Sequence, residues 1–198
     1  MVAMARPKVH TDELRDRLLD EAVAVVGERG VDALSVREVA RAAGTSTTAV
    51  YSLFGNKEGL IRGVLVRAFE SFTAAQESAT GAEVESDLGE LGVQYVGWAL
   101  GNPRLYELMF GESRAGIAPT AETEAASARA IAPLRHGVAR AIDTGVFRKG
   151  ADVDTVAASL WSQVHGLSLL LLSGHFPPTA DPVAAASAVI DGWRADRG

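Results

Sequence analysis

The sequence predicts an all-α protein. Apolar residues recur at helical spacing along nearly the whole chain of 198 residues. Sustained alternation of β-branched residues and Asn-Gly turns, the usual signals of strands and hairpins, are lacking in the sequence. Residues that begin and end helices appear at regular intervals, with Ser, Asn or Asp before an apolar run and Gly after it. Together these observations predict nine helices.

Four helices are predicted in the N-terminal third. An apolar stripe over 14–26 defines the first, and Gly30 is a suitable stop. The next three each follow a Ser or Asn side chain that can accept a hydrogen bond from a free N–H group. Ser35 and Glu38 also have the spacing of a capping box. These three helices are predicted from Val36 to Gly44, from Ser46 to Phe54 and from Asn56 to about Ser78.

Five further helices are predicted over 85–100, 103–110, 121–144, 152–173 and 181–196. Pro103 and Pro182 each follow an Asn or Asp, the pairing typical of a helix start, whereas Pro133 predicts a kink. The eighth helix lies in a stretch without any charged side chain, from Thr155 to Ala180. Its several Ser residues and its Pro-Pro ending disfavour a membrane span, so a helix buried at a protein interface is expected and no membrane partner.

The charge of the chain is unevenly distributed. The formal net charge is −6, but residues 1–70 are neutral, and the excess of acids lies in 71–198. The segment 37–57 is locally basic, which is compatible with a few phosphate contacts. Cysteine is absent from the sequence, and no signal-peptide pattern occurs near its start, so we expect a cytoplasmic protein. The four histidines have no metal-ligand spacing, and no catalytic pattern occurs. We therefore expect no metal, no cofactor and no enzymatic activity.

Segment 35–60 carries the most informative pattern. It predicts two short helices joined by a turn that contains Gly44. Val39, Ala40, Val50 and Phe54 fall on the inward faces of these two helices. The outward face of the second helix has only short polar side chains, the shape that a recognition helix needs to enter the major groove of DNA.

This segment resembles the helix-turn-helix of the TetR/AcrR repressors. The matching features are the capped second helix, the Ala-Gly pair at 43–44, the Val-Tyr-x-x-Phe string at 50–54 and the Asn-Lys-Glu-x-Leu string at 56–60. The resemblance implies a DNA-binding domain over 1–56 and a ligand-binding and dimerisation domain over 57–198. It also implies a transcriptional regulator, expected to be a repressor, whose partners are double-stranded operator DNA, a small-molecule effector and a second copy of the chain.

The resemblance also implies which residues contact DNA. Thr47, Thr48 and Ala49 would face base edges, and Tyr51 would donate its hydroxyl to a phosphate. The full predicted set is Arg37, Ser46, Thr47, Thr48, Ala49, Tyr51, Ser52 and Lys57. Two positions depart from the usual family pattern, Thr45 and Leu53, and the recognition helix has no Arg, Asn or Gln. The operator sequence therefore does not follow from these residues.

The C-terminal part is predicted to contain an apolar, partly aromatic ligand site. Trp161-x-x-x-His165-Gly166 resembles the Trp-His-Gly signature of some TetR-like C-terminal domains. A pocket lined by aromatic side chains with a few polar groups is the usual small-molecule site. The predicted ligand-binding residues are Tyr95, Trp98, Tyr106, Met109, Phe110, Trp161, Gln163 and His165. The alternative is that these side chains are simply part of the hydrophobic core.

The last two helices carry the predicted dimer interface. Both are rich in apolar residues, and two copies would pair them as a four-helix bundle. The predicted interface residues are Leu160, Val164, Leu167, Leu171, Val189, Ile190 and Trp193. The alternative is that these residues are buried within one chain.

In the expected mechanism, the effector binds best to a state whose two recognition helices have the wrong spacing for DNA. The fourth helix belongs to both parts of the chain and is the expected lever. Gly59 and Gly63 near its start either ease its tilt or allow close packing. Two rival hypotheses remain: a regulator that binds DNA constitutively without an effector, and a helical small-molecule-binding module or enzyme without a DNA role.

Overall fold

The computed structural model describes residues 8–78, 84–111 and 116–195, which form nine α-helices, a 3₁₀ turn at Val31–Ala33 and one isolated antiparallel bridge between Phe147 and Arg194. The helices are α1 Lys8–Arg29, α2 Val36–Ala42, α3 Thr47–Phe54, α4 Lys57–Glu77, α5 Val84–Gly101, α6 Pro103–Phe110, α7 Ala121–Asp143, α8 Val153–Leu172 and α9 Pro182–Trp193. The all-α prediction with nine helices is confirmed.

The helix boundaries follow the caps that the sequence contains. Ser35 Oγ accepts from Glu38 N at 3.5 Å, and Asn56 Oδ1 accepts from Gly59 N at 2.7 Å. Asp181 Oδ1 accepts from Val183 N at 2.8 Å at the start of α9. Each cap supplies an acceptor to an N–H group that has no partner inside its own helix, which fixes where the helix begins. α9 ends at Trp193, earlier than predicted, because Arg194 turns into the bridge to Phe147.

The chain divides into two compact units. Of the described residues, the first unit contains 8–69, 104–111 and 116–124, and the second contains 70–78, 84–103 and 125–195. The predicted division between DNA-binding and ligand-binding parts lay at 56/57, whereas the compact units separate inside α4, which is continuous through Glu77. The functional division at 56/57 remains a prediction.

The core of the first unit joins α1, α2, α3 and the start of α4. Its side chains repeat at intervals of three and four residues on each helix, which places them on one inward face. Those fully or almost fully buried include Leu18, Ala22, Val26, Leu34, Val39, Ala40, Val50, Phe54, Leu60 and Val64. The four residues predicted to face inward in the two-helix motif are all buried.

The core of the second unit is formed by α5, α7, α8 and α9. The buried cluster consists of Leu88, Leu91, Val138, Ala141, Phe147, Val156, Ala157 and Leu160. Val189, Ile190 and Trp193 of α9 pack against this cluster while staying partly accessible. α8 is the helix in the described part of the chain that is long and apolar enough to span a membrane, a test that core helices of soluble proteins also pass; 28% of its most apolar segment is buried.

Candidate nucleic-acid and effector sites

Helix α3 is an eight-residue helix with a capped start. Ser46 Oγ accepts from Ala49 N at 3.3 Å, and Gly55 ends the helix with a φ of 77°. A positive φ is unfavourable for residues with a Cβ, so glycine suits this stop. Val50 and Phe54 are buried on the inner face of α3. The opposite face of α3 is therefore directed outward by its own core contacts.

The residues predicted to contact DNA lie on this outward side and around it. Thr48, Tyr51 and Ser52 are exposed, with Tyr51 50% accessible, whereas Thr47 and Ala49 are half-buried. Ser46, Arg37 and Lys57 are also exposed at the starts of α3, α2 and α4. The structure thus leaves all eight predicted side chains at least partly accessible, and those on α3 are small apart from Tyr51.

The end of α3 is packed tightly against the start of α4. A Cβ built on Gly59 would overlap the carbonyl oxygen of Phe54, and one built on Gly63 would press on the Leu19 side chain and touch the Phe54 ring. Of the two alternatives for these glycines, the structure therefore supports close packing. No larger residue fits at Gly59 without displacing the backbone at the end of α3.

An ion pair joins α1 to α2 beside the motif. Arg29 Nη2 donates to Glu38 Oε1 at 2.6 Å, and both side chains are partly exposed. The capping-box pattern indicated that Glu38 lies in the first turn of α2. It did not indicate Arg29 as a partner of Glu38, because the two residues are nine positions apart and no local pattern relates them. Arg37 and Arg41 lie exposed on the same helix.

In the second unit, three of the predicted ligand-binding side chains form a hydrogen-bonded cluster. Trp161 Nε1 donates to Tyr95 Oη at 3.2 Å, and Tyr95 Oη lies 3.0 Å from His165 Nδ1. Because the Tyr95 hydroxyl accepts from Trp161, its own hydrogen is free to be donated to a neutral His165. Burial lowers the pKa of His165 below its ordinary value, since the charged ring is less well solvated there.

Trp98 extends this cluster along α5 through an aromatic contact. The Phe72 ring packs edge-on against both Tyr95 and Trp98, with centroids 5.0 and 5.3 Å apart. Trp98 Nε1 donates to Ser71 Oγ at 3.1 Å. Neither Phe72 nor Ser71 of α4 was predicted from the sequence as a neighbour of this site. The spacing of α4 alone does not show which helix it meets.

The other predicted ligand residues are placed elsewhere. Tyr106, Met109 and Phe110 of α6 belong to the first unit, where Phe110 makes edge-on contacts with Phe69 and Tyr106. Gln163 Nε2 donates to the Ala185 carbonyl oxygen of α9 at 3.0 Å. The structure therefore joins Tyr95, Trp98, Trp161 and His165 in one cluster and directs Gln163 to a helix–helix contact instead.

The predicted dimer residues are largely used inside the chain. Leu160 and Leu167 are only 7% and 5% exposed, and Trp193 Nε1 donates to Ser159 Oγ at 3.2 Å. The apolar stripe of α8 that contains Leu160 and Leu167 faces α5 and α9 of the same chain. Burial thus leaves Leu160 and Leu167 little surface for a partner subunit, as in the alternative considered above. Val164, Leu171, Val189 and Ile190 are half-buried.

Comparison with known proteins gives the class of protein. The family model "Tetracyclin repressor-like, C-terminal domain" matches residues 88–192, and the model "Bacterial regulatory proteins, tetR family" matches residues 18–64. The second match spans the α2–α3 motif. Within the residues that the structure describes, no group of three or more His, Cys, Asp or Glu side chains is placed to hold a metal ion.

Curated relatives and solved structures agree with these matches. The chain is 37% identical over 81 residues to the transcriptional repressor ComR of Escherichia coli K12, which covers 41% of this chain and 37% of ComR. It is 27% identical over 131 residues to the regulator Rv1816 of Mycobacterium tuberculosis H37Rv, covering 64% and 56% of the two chains. The matched stretches thus span about half or less of these relatives.

Among solved structures, a protein of unknown function from Rhodococcus sp. RHA1 is 26% identical with a TM-score of 0.78, covering 92% of this chain and 95% of that one. The TetR family regulator PfmR of Thermus thermophilus is also 26% identical, with a TM-score of 0.62 and coverage of 89% and 96%.

The fold, the exposed short helix and the match over 18–64 show a helix-turn-helix domain of the kind found in bacterial DNA-binding transcriptional regulators. This chain belongs to the TetR family. The family is regulatory and DNA-binding, which implies a role other than catalysis.

Proposed function

We propose that this protein is a homodimeric repressor that binds operator DNA through α3 and leaves it when a small, mostly apolar effector binds the second unit. The observation that carries the proposal is the exposed outer face of α3, whose side chains are short apart from Tyr51. Val50 and Phe54 beneath this face hold it in place. We place the regulator in the cytoplasm, where the operator would be found.

The chemistry of the α3 face suits contacts with a DNA duplex. Thr47 and Thr48 offer a methyl group for thymine and a hydroxyl for base edges, and Tyr51 offers a hydroxyl to a phosphate. Lys57 is the first residue of α4. Backbone N–H groups at the start of a helix attract anions, so they would bind a phosphate together with the lysine ammonium group. Two copies of α3 would read half-sites separated by roughly 34–36 Å, one turn of DNA.

Selection of duplexes from a random DNA library by the wild-type protein tests operator binding directly. We expect Thr48→Ala to weaken binding to the selected duplex and to relax the preference at one base pair. Lys57→Gln should weaken all duplexes alike and reduce the salt dependence of binding, because it removes a phosphate contact. Lys149→Gln, in the exposed turn before α8, is the matched control and should leave both properties unchanged. Failure to select any duplex would favour a module without a DNA role.

The surface of α8 and α9 that remains open within one chain supports a dimer. Trp161, Leu169 and Leu170 of α8 and Val183 of α9 are 36–60% exposed. Large apolar side chains that one chain leaves uncovered are typical of a subunit interface. We therefore assign the interface to these four residues in addition to the half-buried residues predicted from the sequence.

The cluster around Tyr95 supports an effector site. It combines aromatic faces with two groups that can turn towards a ligand, the Tyr95 hydroxyl and the His165 ring. FadR of Bacillus subtilis, a solved structure of the same fold at 18% identity, was determined in complex with stearoyl-CoA. For the present chain we propose only an apolar molecule that carries a hydrogen-bonding group.

A screen of metabolites by thermal shift, followed by titration into the protein–duplex complex, tests this assignment. A true effector should raise the melting temperature and lower duplex affinity, and Tyr95→Phe should reduce both effects. If no compound stabilises the protein or releases the duplex, the rival of a constitutive, effector-independent regulator is favoured.

A further inference from the structure

Phe54, the last residue of α3, is enclosed on more than one side within the first unit. On the α4 side, its carbonyl oxygen and ring meet the two glycines of the first turns, Gly59 and Gly63. On the α1 side, the guanidinium carbon of Arg15 lies 4.8 Å from the centroid of the Phe54 ring. The end of the recognition helix is therefore held by α1 as well as by α4.

Among the described residues, Arg15 also has a charged neighbour in Glu122, which binds it only weakly. Arg15 Nη2 lies 3.9 Å from Glu122 Oε1 at the start of α7, and the Glu122 side chain is 64% exposed. Ion pairs this long and this exposed contribute little to stability. The stacking of the guanidinium on Phe54 is thus the more specific contact of Arg15, and it needs the planar cation rather than positive charge alone.

Because Phe54 is the last residue of α3, this contact can determine how α3 is oriented when it binds DNA. An eight-residue helix is about 12 Å long, so a tilt of about 10° moves one end by about 2 Å. Side chains that read bases must be held within about 0.5 Å of their productive positions. A contact that fixes one end of α3 therefore controls whether Thr47 and Thr48 at the other end fit the groove.

We propose that Arg15 is a positioning residue for operator binding, acting on the recognition helix through the Phe54 ring and without touching the DNA itself. The proposal rests on the proposed function, since it presupposes that α3 binds a duplex. It adds a determinant of affinity that lies on α1, outside the helix-turn-helix.

The test compares Arg15→Met, Arg15→Lys and Arg15→Gln on a duplex selected with the wild-type protein. A cation–π contact contributes about 0.5–1 kcal/mol, and a dimer has two of them, so Arg15→Met should weaken binding about five- to thirtyfold. Arg15→Lys should recover only part of this loss, and Arg15→Gln should behave like Arg15→Met. The slope of log Kd against log salt should stay at its wild-type value, because no phosphate contact is removed. Arg17→Met, exposed on the same helix, is the control for lost charge and should bind like the wild type.

Three results would overturn the proposal. One is wild-type affinity in Arg15→Met, with or without a lower melting temperature, which would make the contact structural only. Another is a reduced salt slope, which would make Arg15 a phosphate ligand. The third is the same loss for Arg15→Met in a Phe54→Leu background, since the effect should disappear once the ring is gone. If the wild-type protein selects no duplex, the proposed function fails as well, whereas the other outcomes leave that function intact.

Discussion

Gly59 and Gly97 both lie inside helices, yet their surroundings differ. Gly97 has open space around the position of a Cβ, whereas a Cβ on Gly59 would overlap the Phe54 carbonyl oxygen. Alanine normally stabilises a helix interior by about 0.5–1 kcal/mol relative to glycine. We therefore expect Gly97→Ala to raise the free energy of unfolding by about that amount, and Gly59→Ala to lower it by about 1–3 kcal/mol. Urea unfolding of both variants checks this, and a stabilised Gly59→Ala would contradict it.

His165 predicts a dependence of stability on pH. Burial lowers its pKa in the folded protein relative to the ordinary value of 6.5. Between these two pKa values the unfolded chain binds more protons than the folded one, so stability should fall as the pH drops from about 6.5 towards the folded pKa. His165→Gln should lack this component. The difference in unfolding free energy between wild type and His165→Gln should therefore shrink as the pH is lowered from above to below the ordinary histidine pKa.

The exposed His136 offers the matched variant for this experiment. His136→Gln measures the effect of removing a histidine elsewhere in the chain. Comparison with it isolates the effect of removing His165, which lies next to Tyr95. A difference between wild type and His165→Gln that stayed constant across the same pH range would show that His165 contributes no pH-dependent stability.

Individual elements show what the sequence could and could not predict. The starts of α2, α3, α4, α8 and α9 were predicted correctly because a cap is a local interaction between residues two or three positions apart. The neighbours of a helix face are not local. The sequence indicated that Leu160 and Leu167 were on an apolar stripe, but it could not show that α5 and α9 of the same chain would cover them. For the same reason, the sequence could not show that Tyr106 and Tyr95 lie in different units.

Helix α9 depends strongly on its cap because the residues described in it are at most half-buried. Asp181 Oδ1 accepts from the N–H groups of both Val183 and Ala184. Loss of an N-cap side chain costs about 1 kcal/mol, and here it should appear as local opening of α9. We expect Asp181→Ala to increase hydrogen exchange of the α9 amides about fivefold, while Asp181→Ser, which keeps an acceptor, stays near the wild type. Exchange of the α9 amides at the wild-type rate in Asp181→Ala would show that the cap is dispensable.

At the scale of the whole molecule, the open surface of α8 and α9 determines the proposed assembly. Leu169 and Val183 are 46% and 60% exposed in one chain, and Val93 on α5 is similarly exposed at 51%. A lysine at a buried subunit interface leaves a charge without water, whereas a lysine on a free surface does not. We therefore expect Leu169→Lys and Val183→Lys to give monomers in sedimentation velocity, and Val93→Lys to remain a dimer.

The same variants connect assembly to DNA binding. A monomer presents one recognition helix, so it loses the second half-site and the gain in affinity that comes from linking two contacts. Because that linkage is typically worth about a hundredfold or more, Leu169→Lys should bind the selected duplex more weakly than the wild type by at least this factor. Val93→Lys should retain the wild-type affinity. Dimers in all three variants would place the interface elsewhere. A monomer produced by Val93→Lys alone would move it to α5, where Leu100 is also exposed.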